Sequence, residues 1–353
     1  MLQIKKIMIL ADLNKEQLKA EMEVLGEKPF RVGQIFDNVN NGIPISQMTN
    51  LSLALREKLL AKYVDNPCEI YKQLNSKDGS VKFLFKLHDG NIIEGVLMKY
   101  KYGYTQCVST QVGCAMGCAF CASTIGGLVR NLTGGEILTQ IAVVNRLLGG
   151  DIKKRQVTNI VLMGSGEPFH NYDNVIDFLR KITSEDGLNF SARNISLSTC
   201  GLVDKMYDFA NEGIPLNLTV SLHSPFDSER KKIMPIAKKY SIKEIISACE
   251  NYFNITGRRF IFEYSLIAGK NDREEDLLEL VKLLKGKPCH INLIRLNEVK
   301  EKNLKGISDI KAKAFCDKLN KFGLSATVRR IIGADIEGAC GQLRASVLKG
   351  NKI

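Results

Sequence analysis

From Thr105 onward the sequence repeats one pattern six times: a short apolar, β-branched run and then an amphipathic helical stretch. No other feature limits the fold as strongly. The runs lie at 105–110, 157–163, 193–199, 216–222, 258–267 and 290–296, and the helical stretches at 133–148, 171–183, 202–212, 241–256, 272–285 and 308–322. A last run, Ser325 to Ile331, follows the sixth helix. Capping boxes mark helix starts at Thr133 with Glu136 and Ser241 with Glu244, and Asp272 with Glu275 is a related arrangement. Gly213, Gly257, Gly286 and Gly323 punctuate helix ends. Repeated strand–helix units require a parallel sheet with helices outside it, an α/β fold. Six units make a partial (β/α)6 TIM-like barrel, two short of the closed eight. The gap leaves a lateral opening that suits a large substrate.

In such barrels the working residues sit where strands end and loops begin. The first strand runs into Gly113-Cys114-Ala115-Met116-Gly117-Cys118-Ala119-Phe120-Cys121. Three thiolates in a Cys-x3-Cys-x2-Cys spacing can hold three corners of a cubane iron–sulfur cluster. Structural zinc and electron-transfer clusters normally take four protein ligands. Here no fourth Cys or His follows closely; the next cysteine is Cys200. The remaining iron is therefore open to bind a small molecule. This loop resembles the signature of the radical S-adenosylmethionine (SAM) superfamily, which implies a radical SAM barrel and one [4Fe-4S] cluster whose fourth iron binds SAM.

The other strand ends carry unusual residues too. Gly164-Ser165-Gly166-Glu167-Pro168 follows the second strand, Ser198-Thr199-Cys200 ends the third and Ser221-Leu222-His223-Ser224-Pro225 ends the fourth. Asn297 ends the sixth. Each alone is ordinary turn chemistry; together on one rim they describe a cradle. Glu167 can accept from the SAM ammonium, and Gly166 lets backbone approach closely. Ser198, Ser221, Leu222, His223 and Asn297 complete the expected cradle for carboxylate, ribose and adenine. His223 also reads as a satisfied buried histidine.

Residues 1–65 read as a small helical domain, with helices at Leu13–Leu25, Phe30–Val39 and Leu51–Tyr63 and Asn50 as a cap. It is either plain scaffold or an RNA-docking module. Residues 66–104 alternate with period two and form a β-hairpin extension, Val81–Leu87 and Ile92–Tyr100 joined through His88-Asp89-Gly90-Asn91. Glu94 lies in its second strand, where a carboxylate ordinarily faces solvent. The barrel is expected to span 105–345. Lys+Arg of 50 against Asp+Glu of 38 leaves a net charge of +12 over 353 residues, which suggests a polyanionic partner. Basic runs such as Lys153-Lys154-Arg155 and Arg230-Lys231-Lys232 recur, each reading by itself as solvated surface. Ten cysteines in a chain this long, with no signal peptide core, point to a reduced, cytoplasmic setting. No run approaches a membrane span.

Glu94, Cys107, the cysteine loop, Arg130-Asn131-Leu132 and Gly338-Ala339-Cys340-Gly341-Gln342-Leu343 together are similar to the bacterial dual-specificity adenine-C2 methyltransferases of 23S ribosomal RNA and transfer RNA. The likeness covers nearly the whole chain. It implies that Cys114, Cys118 and Cys121 bind the cluster and that two SAM molecules are used per turnover. Cys340 would take a methyl group from the first. A radical made from the second would remove hydrogen from that methyl, and the resulting carbon radical would add to adenine carbon 2. Glu94 would then remove the carbon 2 proton. Cys107 would attack Cys340 sulfur, releasing methylated RNA and leaving a disulfide. The resemblance also implies an electron donor such as flavodoxin or ferredoxin, and a monomer. Without it, Cys107 and Cys340 read as buried structural cysteines; Cys68, Cys200, Cys249, Cys289 and Cys316 keep that reading.

Three competitors are distinct. The related carbon 8 resistance methyltransferases share the loop and both cysteines, and Arg295 resembles them where the carbon 2 family has proline. Against that, Ala122-Ser123-Thr124 and the N-terminal domain resemble the carbon 2 family. A non-catalytic zinc RNA-binding protein would be colourless. A radical SAM enzyme for a small molecule leaves Cys107, Cys340 and the basic excess unexplained.

Overall fold

The computed structural model describes residues 8–296 and 302–336; Asn297 and Cys340 lie outside them. Three helices come first, α1 (Lys15–Val24), α2 (Phe30–Asn40) and α3 (Leu53–Leu60). A capping box between Asn14 and Gln17 starts α1. Ser52, not Asn50, caps α3, accepting from the Leu55 N–H. Asn50 instead accepts from Asn38 Nδ2 at 2.8 Å, so the cap moves two residues on. Leu18, Met22, Ile35, Leu55, Leu59 and Tyr63 close a core of the helices' own. The unit docks through Asp12, whose carboxylate accepts from the Gly135 N–H at 2.8 Å and whose carbonyl accepts from Lys181 Nζ at 2.6 Å.

Four strands follow as an antiparallel meander: β1 (Cys68–Asn75), β2 (Val81–Leu87), β3 (Ile92–Tyr100) and β4 (Gly103–Cys107). The expected hairpin is present with its expected bounds. It is not an appendage, however. β3 pairs with β4, and β4 pairs in parallel with the next barrel strand, so the meander is the sheet's own edge. β1 was not expected; it is an edge strand with a single buried residue, Cys68, so its apolar alternation is faint.

Next come a two-stranded ribbon, β5 (Gln111–Gly113) and β6 (Leu128–Asn131), and then the alternating elements. These are α4 (Gly134–Leu147), β7 (Val157–Leu162), α5 (Tyr172–Thr183), β8 (Ile195–Thr199), α6 (Val203–Ala210) and β9 (Asn217–Ser221). They continue through α7 (Asp227–Ile233), α8 (Ile242–Thr256), β10 (Phe260–Leu266), α9 (Glu274–Leu284), β11 (Cys289–Arg295), α10 (Asp309–Lys321) and β12 (Ala326–Val328). All six expected units are present. α7 is extra, and at two turns its periodicity is too short to read. The cap of α9 falls on Arg273 with Asp276, one residue beyond the expected pair.

One sheet runs β1-β2-β3-β4-β7-β8-β9-β10-β11-β12, and from β4 onward every neighbouring pair is parallel. The fold is α/β, a partial barrel with helices outside. Its edges, β1 and β12, do not pair. The segment after β12 reaches across instead: Gly333 N–H donates to Asp78 Oδ2 at 2.9 Å, and Asp335 accepts from Ser76 Oγ at 2.5 Å and Lys77 N–H at 3.1 Å. Among the described residues no helix is long and apolar enough to cross a membrane.

Candidate active site at the ends of the parallel strands

β4 leads through Val108 to Gln111 and the ribbon strand β5, which delivers the chain to Cys114. Gly113 (φ 82°) and Gly117 (φ 69°) take left-handed backbone that turns the loop between the cysteines. Thr124 Oγ1 donates to the Cys121 carbonyl at 2.9 Å, and the Ala119 N–H donates to the Ile233 carbonyl at 2.9 Å, tying the loop to α7. Cys118 packs with Cys200, Ile233, Met234 and Ile267 in a small apolar cluster, against which Met116, Phe120 and Cys121 also lie. Burial pushes the Cys114 thiol up to about 12, with Cys121 and Glu167 adding to the effect. Burial likewise raises Cys118, reinforced by Cys121 and Cys114.

The loop after β7 fits against this segment. Thr110 and Gln111 N–H both donate to the Ser165 carbonyl, at 2.9 and 3.1 Å. Gly166 (φ 111°) has no room for a side chain: a Cβ there would lie 2.7 Å from Gln111 Cβ and 2.8 Å from Gln111 N. Gly166→Ala should therefore cost about 2–4 kcal/mol from strain and overpacking together. Chemical denaturation checks this, and a cost below about 0.5 kcal/mol would mean the loop is loose.

Glu167 is buried, and its carboxylate accepts from Phe169 N–H at 3.0 Å and Cys200 N–H at 2.7 Å. Desolvation raises its pKa, while these hydrogen bonds pull it back. Ser198, ending β8, donates through Oγ to Glu263 Oε2 at 3.0 Å. Ser221, ending β9, is in register with Glu263 on β10, and Leu222 N–H donates to the Glu263 carbonyl at 3.0 Å.

His223 has φ 55°, a left-handed backbone uncommon outside glycine. Its Nδ1 accepts from the Ser265 N–H at 2.9 Å, so the proton of the neutral ring sits on Nε2. The ring meets Phe120 of the cysteine loop edge-on, with centroids 4.7 Å apart. Burial, then the Arg230 charge, lowers its pKa from 6.5 to about 3. The satisfied, buried histidine of the sequence reading is what the structure has, and the ring also abuts the cysteine loop. Between those pH values the unfolded chain carries a proton here that the folded chain lacks, so stability falls as pH drops. The slope from this one residue is about 1.4 kcal/mol per pH unit. His223→Asn tolerates the backbone and removes the titration. Urea unfolding of the cluster-free chain between about pH 6 and 5 should lose that slope in the variant; equal slopes would overturn the neutral assignment.

The structure corrects two readings. Arg230 is not solvated surface; it is fully buried. Its Nε donates to the Leu222 carbonyl at 3.0 Å and its Nη2 to the Cys200 and Ser221 carbonyls at 2.7 and 3.0 Å, which ties two strand ends together. Turning that side chain inward leaves Lys232 outside, paired with Glu229 at 2.8 Å. Glu94 does not face solvent either; it is 2% exposed and lies inside the barrel. Val96 pairs with Cys107 across β3 and β4, which places Glu94, Val96 and Cys107 on one inner face with Met98 and Met163. Ile332, beyond β12, packs against the same group.

The residues fit a cubane cluster. Arg230 is a buried cation beside the Cys118 and Cys200 sulfurs, and among the described residues its Nη1 has no hydrogen-bond partner, which suits an anionic thiolate–metal group nearby. A cubane takes each thiolate on a different iron. The cluster loop, Glu167, Ser198, Ser221, Leu222 and His223 share one rim. The sequence reading missed Glu263 and Arg230. A lone carboxylate in Phe260-Ile261-Phe262-Glu263-Tyr264 was the available signal for the first; the second had none, since its neighbours are lysines.

Comparisons with known proteins bear on the chain's family and fold. Residues 108–283 match the family model described as the radical SAM superfamily, and residues 8–64 match the model described as the ribosomal RNA large subunit methyltransferase N-terminal domain. The protein named "Probable dual-specificity RNA methyltransferase RlmN" in Clostridium acetobutylicum is 50% identical over 340 residues, 96% of this chain and 97% of the relative. Its namesake in Alkaliphilus oremlandii is 50% identical over 342 residues, 96% and 98% of the two chains. This chain belongs to the RlmN family of radical SAM RNA methyltransferases. A crystal structure of a radical SAM methyltransferase from Sphaerobacter thermophilus, a further relative at 40% identity, superposes with a TM-score of 0.90 over 95% of this chain and 98% of that one. The family's N-terminal domain model coincides with the three-helix unit that closes its own core.

Proposed function

We propose that this chain methylates carbon 2 of an adenosine in 23S ribosomal RNA, and of a transfer RNA anticodon-loop adenosine, by a methyl-cysteine route. Family membership supports RNA methylation by a radical SAM enzyme. The observation that carries the finer reading is the shared inner face of Glu94 and Cys107, a carboxylate sealed from water beside a buried thiol. Cys114, Cys118 and Cys121 would hold a [4Fe-4S] cluster, with SAM in the cradle of Gly166, Glu167, Ser198, Ser221, Leu222, His223 and Asn297. When bound, these groups supply a primary carbon radical able to remove hydrogen from a methyl group.

The chain's own residues do the rest. Cys340 thiolate attacks the methyl carbon of one SAM, expelling S-adenosylhomocysteine, and carries the methyl group as a thioether. Once that carbon is joined to adenine carbon 2, Glu94 accepts the carbon 2 proton, and the unpaired electron that radical addition leaves on the ring goes to a one-electron acceptor, a role the oxidised [4Fe-4S] group would fill when bound. Cys107 thiolate attacks Cys340 sulfur; the sulfur–carbon bond breaks with its electron pair going to carbon, which takes a proton and becomes the RNA methyl group. A Cys107–Cys340 disulfide remains for reduction. The three-helix domain serves as the RNA-docking module, the enzyme works as a cytoplasmic monomer, and a flavodoxin or ferredoxin delivers the electron.

Carbon 2 is favoured over carbon 8 because the N-terminal domain matches the ribosomal RNA methyltransferase model and the relatives carry the RlmN name. Arg295, the departure that resembles the carbon 8 enzymes, forms an ion pair with Asp309. Mass spectrometry of nucleosides from 23S rRNA and tRNA of cells with and without the chain tests the reading. The expected result is 2-methyladenosine in the first only; methyl at carbon 8 with carbon 2 untouched sinks it.

A further inference from the structure

A second buried charge faces Glu94. Lys82 Nζ lies 3.0 Å from Glu94 Oε2, with the two side chains 0% and 3% exposed. Lys82 is opposite Val96, and Glu94 is opposite Leu84, across β2 and β3. The pair is therefore diagonal, a spacing that a long side chain bridges. Val96 is in turn opposite Cys107 on β4. One face of three adjacent strands thus carries Lys82, Glu94 and Cys107 in sequence. The neighbours of Lys82 on its strand, Val81 and Phe83, pack into the apolar core on the opposite face. A buried ammonium is costly and needs a reason.

We propose that Lys82 is a positioning residue for Glu94: its ammonium keeps the Glu94 carboxylate ionised in a water-poor lumen and holds Oε2 in place. The inference rests on the reading of Glu94 as the base for adenine carbon 2. A carboxylate buried this deeply and without a cation retains its proton and cannot accept another. In the proposed step the carbon 2 proton passes to a Glu94 oxygen, the electrons of the C–H bond stay with the ring, and the unpaired electron left by radical addition goes to a one-electron acceptor. The Lys82 charge then favours loss of that proton to solvent, which readies the carboxylate for the next turnover. Among the described residues this face carries the titratable Lys82 on β2, Cys107 on β4 and, farther along β3, Tyr100, the last under the influence of Arg329, Arg330 and Asp78. Val161 on β7 and Met163 just after it are apolar. Ser109 Oγ donates to the Glu94 carbonyl at 2.7 Å, which fixes the backbone.

The test is the pH profile of methyladenosine formation on an rRNA fragment by the cluster-loaded enzyme, between about pH 6 and 9. Each variant is read as a ratio to wild type at the same pH, because the Cys107 and Cys340 thiols bring a pH dependence of their own. Lys82→Met should be slower than wild type by about 100-fold near pH 7, the ratio recovering as pH rises. Lys82→Arg should keep the ratio near one throughout. Iron content and melting temperature report folding, and Lys82→Gln, which keeps a donor without the charge, repeats the test should the apolar variant not fold. Infrared difference spectra against Glu94→Gln should show a carboxylate in wild type and a protonated acid in the Lys82→Met background. A Lys82→Met to wild-type ratio near one, or a drop equal at every pH, overturns the proposal. If Glu94→Gln itself forms product at the wild-type rate, the reading of Glu94 as base fails, whatever Lys82 does.

Discussion

Cys118→Ala should yield a colourless protein, with iron falling from about four per chain to below one, while Cys200→Ser stays brown. The contrast is sharp because tertiary structure brings Cys200 into the same apolar cluster as Cys118. A fourth cysteine that close could close the cluster and leave no iron for SAM. Its surroundings argue otherwise. Burial pushes the Cys200 thiol well above its ordinary range, the Glu167 carboxylate pushes it further, and the thiol hydrogen-bonds to that carboxylate. Cys200 is thus a protonated donor to Glu167, although it shares the Arg230 cation with Cys118. Loss of one loop ligand leaves two thiolates, too few to hold a cubane, and activity should fall by more than about 1000-fold. Iron and sulfide analysis of anaerobic preparations decides it. Iron retained in Cys118→Ala but lost in Cys200→Ser would mean a different ligand set and a closed cluster.

Cys107→Ala should stop turnover at the covalent stage, leaving protein joined to RNA and product release slowed by at least about 100-fold. Cys107 is 5% exposed and lies among Val96, Met98, Val161 and Met163. An apolar setting of this kind excludes water, so no alternative nucleophile reaches the sulfur–carbon bond once the thiol is gone. Thiol exchange also has strict geometry: the attacking sulfur must approach the sulfur being displaced. A denaturing gel with labelled rRNA should show one shifted, nuclease-sensitive band for Cys107→Ala and none for the Cys107→Ala, Cys340→Ala double variant. Normal release by Cys107→Ala would refute the role.

Some of this chemistry was legible before any coordinates. The cysteine loop is a local motif, and its spacing alone limits which cofactor it can hold. The strand–helix alternation is equally local, because apolar periodicity and capping pairs such as Thr133 with Glu136 are set within a few residues. Gly166 was readable as a close approach, although its partner, Gln111, was not. The N-terminal helices were readable, but their cap at Ser52 turned on a contact between Asn50 and Asn38.

What the sequence determined by itself was the unit of structure and the radical-generating motif, because both depend on short-range order along the chain. Tertiary structure alone decided which polar groups are sealed from water. Glu94 alternates along a strand like any solvent-facing carboxylate; only the curl of the sheet turns its face inward, against Lys82 and Cys107. Arg230 sits among lysines in sequence and in the fold beneath two strand ends. Burial converts such ordinary charges into chemical tools, because in a low-dielectric interior the nearest partner sets the protonation state. Burial depends on which distant strands meet, and no local pattern of residues encodes that.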